Sequence, residues 1–220
     1  MTPVLSVENL TFSYGNSPAL EGVTFQVGEK RRLFILGENG SGKSTLLKLI
    51  SGILSPSRGK VLFRGRDVKE IPRRDMARKI VLGTGNLACD FPVTVEEFVS
   101  LGRFPHRGLF SSLTRKDREA VDEALSLLGI SSLRGRRVTD LSDGEKQKVS
   151  LAKMVAQDGE VYLFDEPGAH LDLRSRVEVF RLISSLTERG KTVVVTSHDI
   201  GSTLAHAQDV LLLKGGKVVS

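Results

Sequence analysis

The sequence predicts an α/β fold. Short β-rich runs alternate with amphipathic stretches along the chain. Several of those runs, such as Val193–Val195, are apolar on both faces, as buried strands of a mostly parallel sheet are. The chain has 220 residues, 40% apolar and 26% charged, an ordinary globular balance for one domain with a sizeable core.

Strands are expected at Val4–Leu10, Thr24–Val27, Arg32–Leu36, Ile80–Leu82, Val161–Phe164, Thr192–Thr196 and Val210–Leu213. Helices are expected at Lys43–Ser51, Val95–Leu101, Lys116–Leu128, Gly144–Ala156 and Leu173–Arg189. From about Asn86 to Asp158 the pattern holds helices and loops but no convincing strand. A single domain over 1–220 is expected, its core at about 1–85 and 159–220, with a helical subdomain at about 86–158 inserted. There is no internal repeat and no low-complexity tract, which excludes solenoids and arrays.

Apolar runs such as Val161–Phe164 and Val210–Leu213 are far shorter than the ~20 residues that a membrane-spanning helix needs. The first ten residues carry neither a basic region nor a long apolar stretch, so no secretory signal is expected. Cys89 is the one cysteine, which excludes an intramolecular disulfide and points to a reducing, cytosolic compartment. It reads as an apolar filler, since no neighbour activates it. The net charge of +6 permits nucleic acid or an anionic membrane surface as a partner and requires neither.

Gly37-Glu38-Asn39-Gly40-Ser41-Gly42-Lys43-Ser44 satisfies G-x-x-x-x-G-K-[ST], with a strand before it and a helix after it. Glycines let successive backbone N–H groups turn inward around a β-phosphate, and the helix N-terminus adds partial positive charge. Lys43 is expected to reach the β- and γ-phosphates, and Ser44 to ligate Mg²⁺. An ordinary glycine-rich turn would need a chance match, on the order of one in a hundred at average glycine usage. The chain is expected to bind a nucleoside triphosphate.

Val161–Phe164 runs into Asp165 and Glu166. Adjacent strand residues point to opposite faces, so the two carboxylates are expected to have different tasks. Asp165 suits Mg²⁺, and Glu166 suits polarising an attacking water beside the γ-phosphate. Ser142-Asp143-Gly144-Glu145 has the spacing of a capping box, and equally of a second phosphate-binding helix terminus. His198, at a strand end, and Tyr14 would each by themselves read as structural.

Together these stretches resemble the ATP-binding-cassette ATPases, over essentially the whole chain and in that family's order: Tyr14, phosphate loop 37–45, Leu141–Glu145, Asp165-Glu166, Ala169-His170-Leu171-Asp172, and His198. The resemblance implies a P-loop ATPase core with an N-terminal antiparallel β subdomain and an inserted α-helical subdomain. It implies that Tyr14 stacks on adenine, worth about 1–3 kcal/mol, and that Gly37–Thr45 cradle the phosphates. Ser142, Gly144 and Glu145 would belong to the signature that reaches the γ-phosphate of a second copy in a homodimer. Ala169–Asp172 would line the dimer interface, and His198 would contact the γ-phosphate and order the water.

Leu101-Gly102-Arg103-Phe104-Pro105-His106-Arg107-Gly108 looks like the ATPase of importers for iron–siderophore complexes, haem or cobalamin. That implies a permease dimer in contact with this stretch, an extracytoplasmic solute-binding protein, and a place on the cytoplasmic face of the membrane. A basic surface loop is the plainer reading. Two departures from the family stand out. Asp143 replaces a usual glycine, and a carboxylate 5 Å from a γ-phosphate costs roughly 3 kcal/mol at an effective ε near 20, unless it turns away to cap the helix. A glutamine expected after Ile80–Leu82 is missing, its place falling at Gly85 with Asn86 the nearest amide. Water in that coordination place is expected, because Mg²⁺ keeps several waters. The alternative function, a cassette ATPase acting on nucleic acid or ribosomes, usually needs two cassettes or a long coiled coil, and 220 residues without a heptad run hold neither. No nucleic acid is therefore expected, and Glu166 and His198 argue against a scaffold without turnover.

Overall fold

The apolar runs fold as buried strands. The computed structural model describes residues 3–84, 91–107, 112–169 and 171–219. They form two compact units, one of Met1–Leu82 with Glu160–Ser220 and the other of Gly83–Gly159.

In the first unit, β3 (Arg32–Leu36), β7 (Val161–Asp165) and β8 (Thr192–Ser197) are buried along nearly their whole length. Strands covered on both faces belong to a parallel sheet, and β9 (Asp209–Lys214), β3, β8 and β7 do run parallel. With β6 (Ile80–Thr84) and β10 (Lys217–Val218) the sheet has six strands in the order β10-β9-β3-β8-β7-β6. β10 returns antiparallel on β9. A second, antiparallel sheet has the order β2-β1-β4-β5, from β1 (Leu5–Tyr14), β2 (Ser17–Val27), β4 (Arg58–Phe63) and β5 (Arg66–Asp67). One core joins both sheets, holding Val7 and Leu10 of β1, Ile35 of β3, Leu163 of β7 and Val194 of β8. Helix α1 (Lys43–Ile50) adds Leu46, Leu47, Leu49 and Ile50. Each such side chain, fully buried, contributes about 1.5–3 kcal/mol.

Among the described residues this unit also holds the α-helices α2 (Arg73–Ala77), α6 (Leu173–Glu188) and α7 (Ile200–His206). The second unit is helical, with α3 (Val95–Ser100), a 3-10 turn over Leu101–His106, α4 (Arg115–Leu127) and α5 (Asp143–Gln157). Each of α3, α4 and α5 opens on a capping box, from Thr94, Thr114 and Ser142 respectively. Their apolar faces meet in a core that includes Val95, Val99, Val121, Leu125 and Val149.

The fold class is the expected one, but several elements differ. β4, β5, α2, α7 and β10 were not legible. β4 opens on three exposed residues and has no alternating start. Its Gly59 (φ +77°) lies so close to β1 that a Cβ would sit 2.3 Å from the Glu8 and Asn9 carbonyl oxygens. α2 has five residues and buries one, Met76, too little to show a helical period. β1 runs on to Tyr14 because register shifts let it bend past Asn9, which has φ 47°.

Candidate nucleotide site

The phosphate loop joins β3 to α1. Gly42 is the N-cap of α1 with φ 101°, and Gly40 has φ 80° with nothing within 4 Å of where a Cβ would stand. Those backbone values favour glycine. Gly37 is required for a different reason, since a Cβ there would lie 2.3 Å from Leu213 O and 2.5 Å from Ser41 Oγ. Ser41 Oγ is itself buried without a hydrogen-bond partner.

Lys43 is buried, with its side chain 3% exposed. Its Nζ donates to Gly37 O at 2.7 Å and to Glu38 O at 3.0 Å, and lies 3.1 Å from Glu166 Oε1. An ammonium has three hydrogens, so all three have an acceptor. Glu166 Oε2 lies 3.1 Å from His198 Nδ1. The Glu166 carboxylate therefore stands between a buried cation and an exposed imidazole.

Asp165 ends β7 and accepts a 2.7 Å hydrogen bond from Thr196 Oγ1. Glu166 lies beyond the strand with φ 47°, a left-handed backbone that is uncommon for a residue with a side chain. This corrects the expectation from strand alternation: the two carboxylates part because the chain turns at Glu166, not because of the pleat. Left-handed strain of this kind, about 1–3 kcal/mol, concentrates at functional sites.

Tyr14 is half exposed at the end of β1. Its ring meets Phe12 edge to face at 4.9 Å, and its hydroxyl is 3.4 Å from Thr45 Oγ1 in the first turn of α1. Tyr14, Asn39, Gly40, Lys43, Ser44 and Glu166 line one cavity of about 390 Å³, to which Ser17, Pro18 and Ala19 add a wall that sequence reasoning missed. A second cavity of about 390 Å³ lies against Glu166 and His198 and is walled by Arg176, Phe180 and Asp199.

In the helical unit, Ser142 is an exposed N-cap whose hydroxyl donates to Glu145 Oε2 at 2.8 Å. Glu145 also accepts from Ser142 N at 2.9 Å, and these bonds hold its carboxyl below the usual range. Gly144 lies within the first turn of α5. Ser142 is the cap, as the capping-box spacing indicates, and Asp143 is an exposed residue of the first turn, where a negative charge suits the helix dipole.

The basic stretch 101–107 is not a solvated loop. Arg103 is 3% exposed, 2.9 Å from Asp117 Oδ1, and donates to Ala156 O at 2.6 Å. His106 Nε2 is 2.8 Å from Gln157 O. Exposed instead are Leu101 at 57% and Phe104 at 61%. Gly85, Asn86, Cys89, Gly108 and His170 lie outside the described residues.

The arrangement fits a triphosphate. The loop glycines Gly40 and Gly42, the Ser44 hydroxyl and the buried ammonium of Lys43 converge on one cavity beside an exposed aromatic ring. It also fits Mg²⁺ of the kind carried in with phosphates. Among the described residues no group of three or more His, Cys, Asp or Glu could hold a metal alone, whereas Ser44 and Asp165 offer the hydroxyl and carboxylate oxygens that Mg²⁺ prefers.

The chain matches the family model described as ABC transporter over residues 20–169. It is 34% identical over 214 residues to the ferric enterobactin transport ATP-binding protein FepC of Escherichia coli (strain K12), covering 97% of this chain and 79% of that one. It is 36% identical to the manganese transport system ATP-binding protein MntB of Halalkalibacterium halodurans (97% and 84% covered). The hemin import ATP-binding protein HmuV of Pseudomonas entomophila is also 36% identical, with 97% and 84% covered. The structure of cbiO1 from Clostridium perfringens, part of the ABC transporter complex cbiONQ, superposes with a TM-score of 0.88 at 29% identity, covering 100% of this chain and 88% of that one. The chain belongs to the ABC transporter family, and it is an ATP-binding, ATP-hydrolysing member of it.

Proposed function

We propose that this chain is the ATPase subunit of an importer for a metal or metal chelate, an iron–siderophore complex, haem or manganese, and that it drives a separate membrane permease from the membrane's cytoplasmic face. The observation that carries the reading is the buried Lys43 at the foot of the phosphate loop, 3.1 Å from Glu166, which in turn lies 3.1 Å from His198. Lys43 exchanges its loop carbonyls and Glu166 for β- and γ-phosphate oxygens, anionic acceptors in place of two neutral carbonyls and one carboxylate. Glu166, released from the ammonium, accepts a proton from the attacking water as general base. His198, through the nitrogen that does not face Glu166, donates to the γ-phosphate and holds that water in line. Ser44 and Asp165 would hold Mg²⁺, which when bound neutralises charge developing on the phosphates. Tyr14 stacks on the adenine, and the phosphate loop cradles the triphosphate through the backbone of Gly37–Thr45.

Ser142, Gly144 and Glu145 act in a second copy of the chain, the α5 terminus of one copy closing on the γ-phosphate held by the other. The capping box of Ser142 keeps the α5 terminus ordered for that encounter. Leu101 and Phe104, exposed on the 3-10 turn, are the apolar contacts offered to the permease, while buried Arg103 fixes the turn that presents them. Among the described residues no helix is long and apolar enough to cross a membrane, so a separate permease would supply the membrane path. An extracytoplasmic solute-binding protein would deliver the cargo. The relatives described above are named for ferric enterobactin, manganese and hemin, which carries the cargo proposal. Reconstitution tests it. ATPase activity rises when the permease is present and rises further with a loaded binding protein. Stimulation by RNA or ribosomes, with none by permease, would refute it.

A further inference from the structure

The parallel register of β7 and β8 sets Asp165 opposite Thr196, a residue 0% exposed. A hydroxyl buried that deeply has to satisfy its proton and its lone pairs within the protein. Thr196 Oγ1 donates to Asp165 Oδ1 at 2.7 Å and accepts from Glu166 N at 2.9 Å. The Phe164 carbonyl, at 3.5 Å, is the weaker acceptor for that proton. One hydroxyl thus holds the side chain of one carboxylate residue and the backbone of the other. The second of these matters because Glu166 sits at φ 47°, a conformation that persists only where its surroundings impose it.

We infer that Thr196 is a positioning residue of the ATPase reaction, its hydroxyl fixing the plane in which Asp165 meets the metal and the backbone from which Glu166 reaches water. This rests on the reading of Asp165 as metal ligand and Glu166 as base. Groups that orient metal ligands typically change metal affinity or activity by about 10–100-fold when removed.

The test uses the full chain carrying Glu166→Gln, so that nothing is turned over. Mg²⁺ is titrated into protein bound to a fluorescent ATP analogue, and the analogue's affinity is also measured in EDTA. Thr196→Val, which keeps the shape and loses the hydroxyl, should raise the half-saturating Mg²⁺ concentration about tenfold. Its affinity for the analogue in EDTA should stay within about twofold, because the phosphate loop is untouched. Thr196→Ala carries the same expectation, and Thr196→Ser, which restores the hydroxyl, should return both values to those of the parent. With Glu166 restored, Thr196→Val should lower kcat about tenfold and Thr196→Ser should not. Unchanged Mg²⁺ dependence in Thr196→Val and Thr196→Ala would overturn the inference, as would an equal loss in EDTA. Failure of both to fold while Thr196→Ser folds would make the hydroxyl structural and also overturn it. Asp165→Asn separates the two readings: if it leaves the Mg²⁺ dependence unchanged, the metal-ligand reading fails; if it alone raises it, only the role of Thr196 fails.

Discussion

Replacing Arg103 with Met should loosen the helical unit by an amount the structure sets. The Arg103 and Asp117 side chains are 4% and 5% exposed and meet at 2.9 Å. Burial pushes the Asp117 carboxyl up, but hydrogen bonds from Thr114 and Arg103 outweigh it and hold it at about 2, below its ordinary 3.8. Removing the guanidinium leaves a buried carboxylate and an Ala156 carbonyl without that donor, and breaking a buried pair on one side costs about 3–5 kcal/mol. Amide hydrogen exchange in α4 and α5 at pH 7 should lose between about two and four powers of ten in protection. Arg103→Met combined with Asp117→Leu should recover most of that, because an apolar replacement of a whole buried pair is often neutral. It should still lack the bonds that the Asp117 carboxylate accepts from Thr114 N and Thr114 Oγ1, while the backbone N–H at position 117 keeps its bond to Thr114 Oγ1. The pH dependence has a definite sign. A carboxyl held below its ordinary value stabilises the fold above about pH 4, and that contribution, roughly 2 kcal/mol here, fades as pH falls towards 2. Urea unfolding followed by helical circular dichroism from pH 5 to pH 2 should show this loss in the parent and a smaller one in Arg103→Met. Parent-like protection of α4 and α5 in Arg103→Met would refute the reasoning.

Lys43→Ala should abolish tight ATP binding, because the phosphates lose a charge-assisted donor; an unchanged dissociation constant for a fluorescent ATP analogue would remove the phosphate-loop assignment. Leu101→Ser with Phe104→Ser should leave basal ATPase within about twofold of the parent, as the two are exposed, and should cancel stimulation by the permease. Asn86→Ala should barely move the Mg²⁺ concentration giving half-maximal ATPase. A tenfold loss of apparent affinity, about 1.4 kcal/mol, would show that Asn86 supplies a ligand instead of water.

The phosphate loop was legible because its chemistry lies in contiguous residues between a strand and a helix, and the carboxylate pair because it ends an apolar run. The links among them were not legible. Lys43, Glu166 and His198 come together only through the order β3-β8-β7, and Thr196 reaches Asp165 only through a parallel register that no local pattern encodes. Arg103 misled for the opposite reason: charged residues are mostly solvated, so its sequence gave no sign of a buried partner fourteen positions away. Short or exposed elements such as α2 and the start of β4 fell below the length at which a period can be seen.

The central claim is that Glu166, held between Lys43 and His198, is the base that activates water. Glu166→Gln keeps the shape and removes the proton acceptor, so single-turnover hydrolysis of radiolabelled ATP tests it most directly. The variant should bind Mg·ATP as tightly as the parent, cleave it at least about a hundredfold more slowly, and accumulate as an ATP-bound dimer on a sizing column. Cleavage at the parent's rate, with binding intact, would contradict the account.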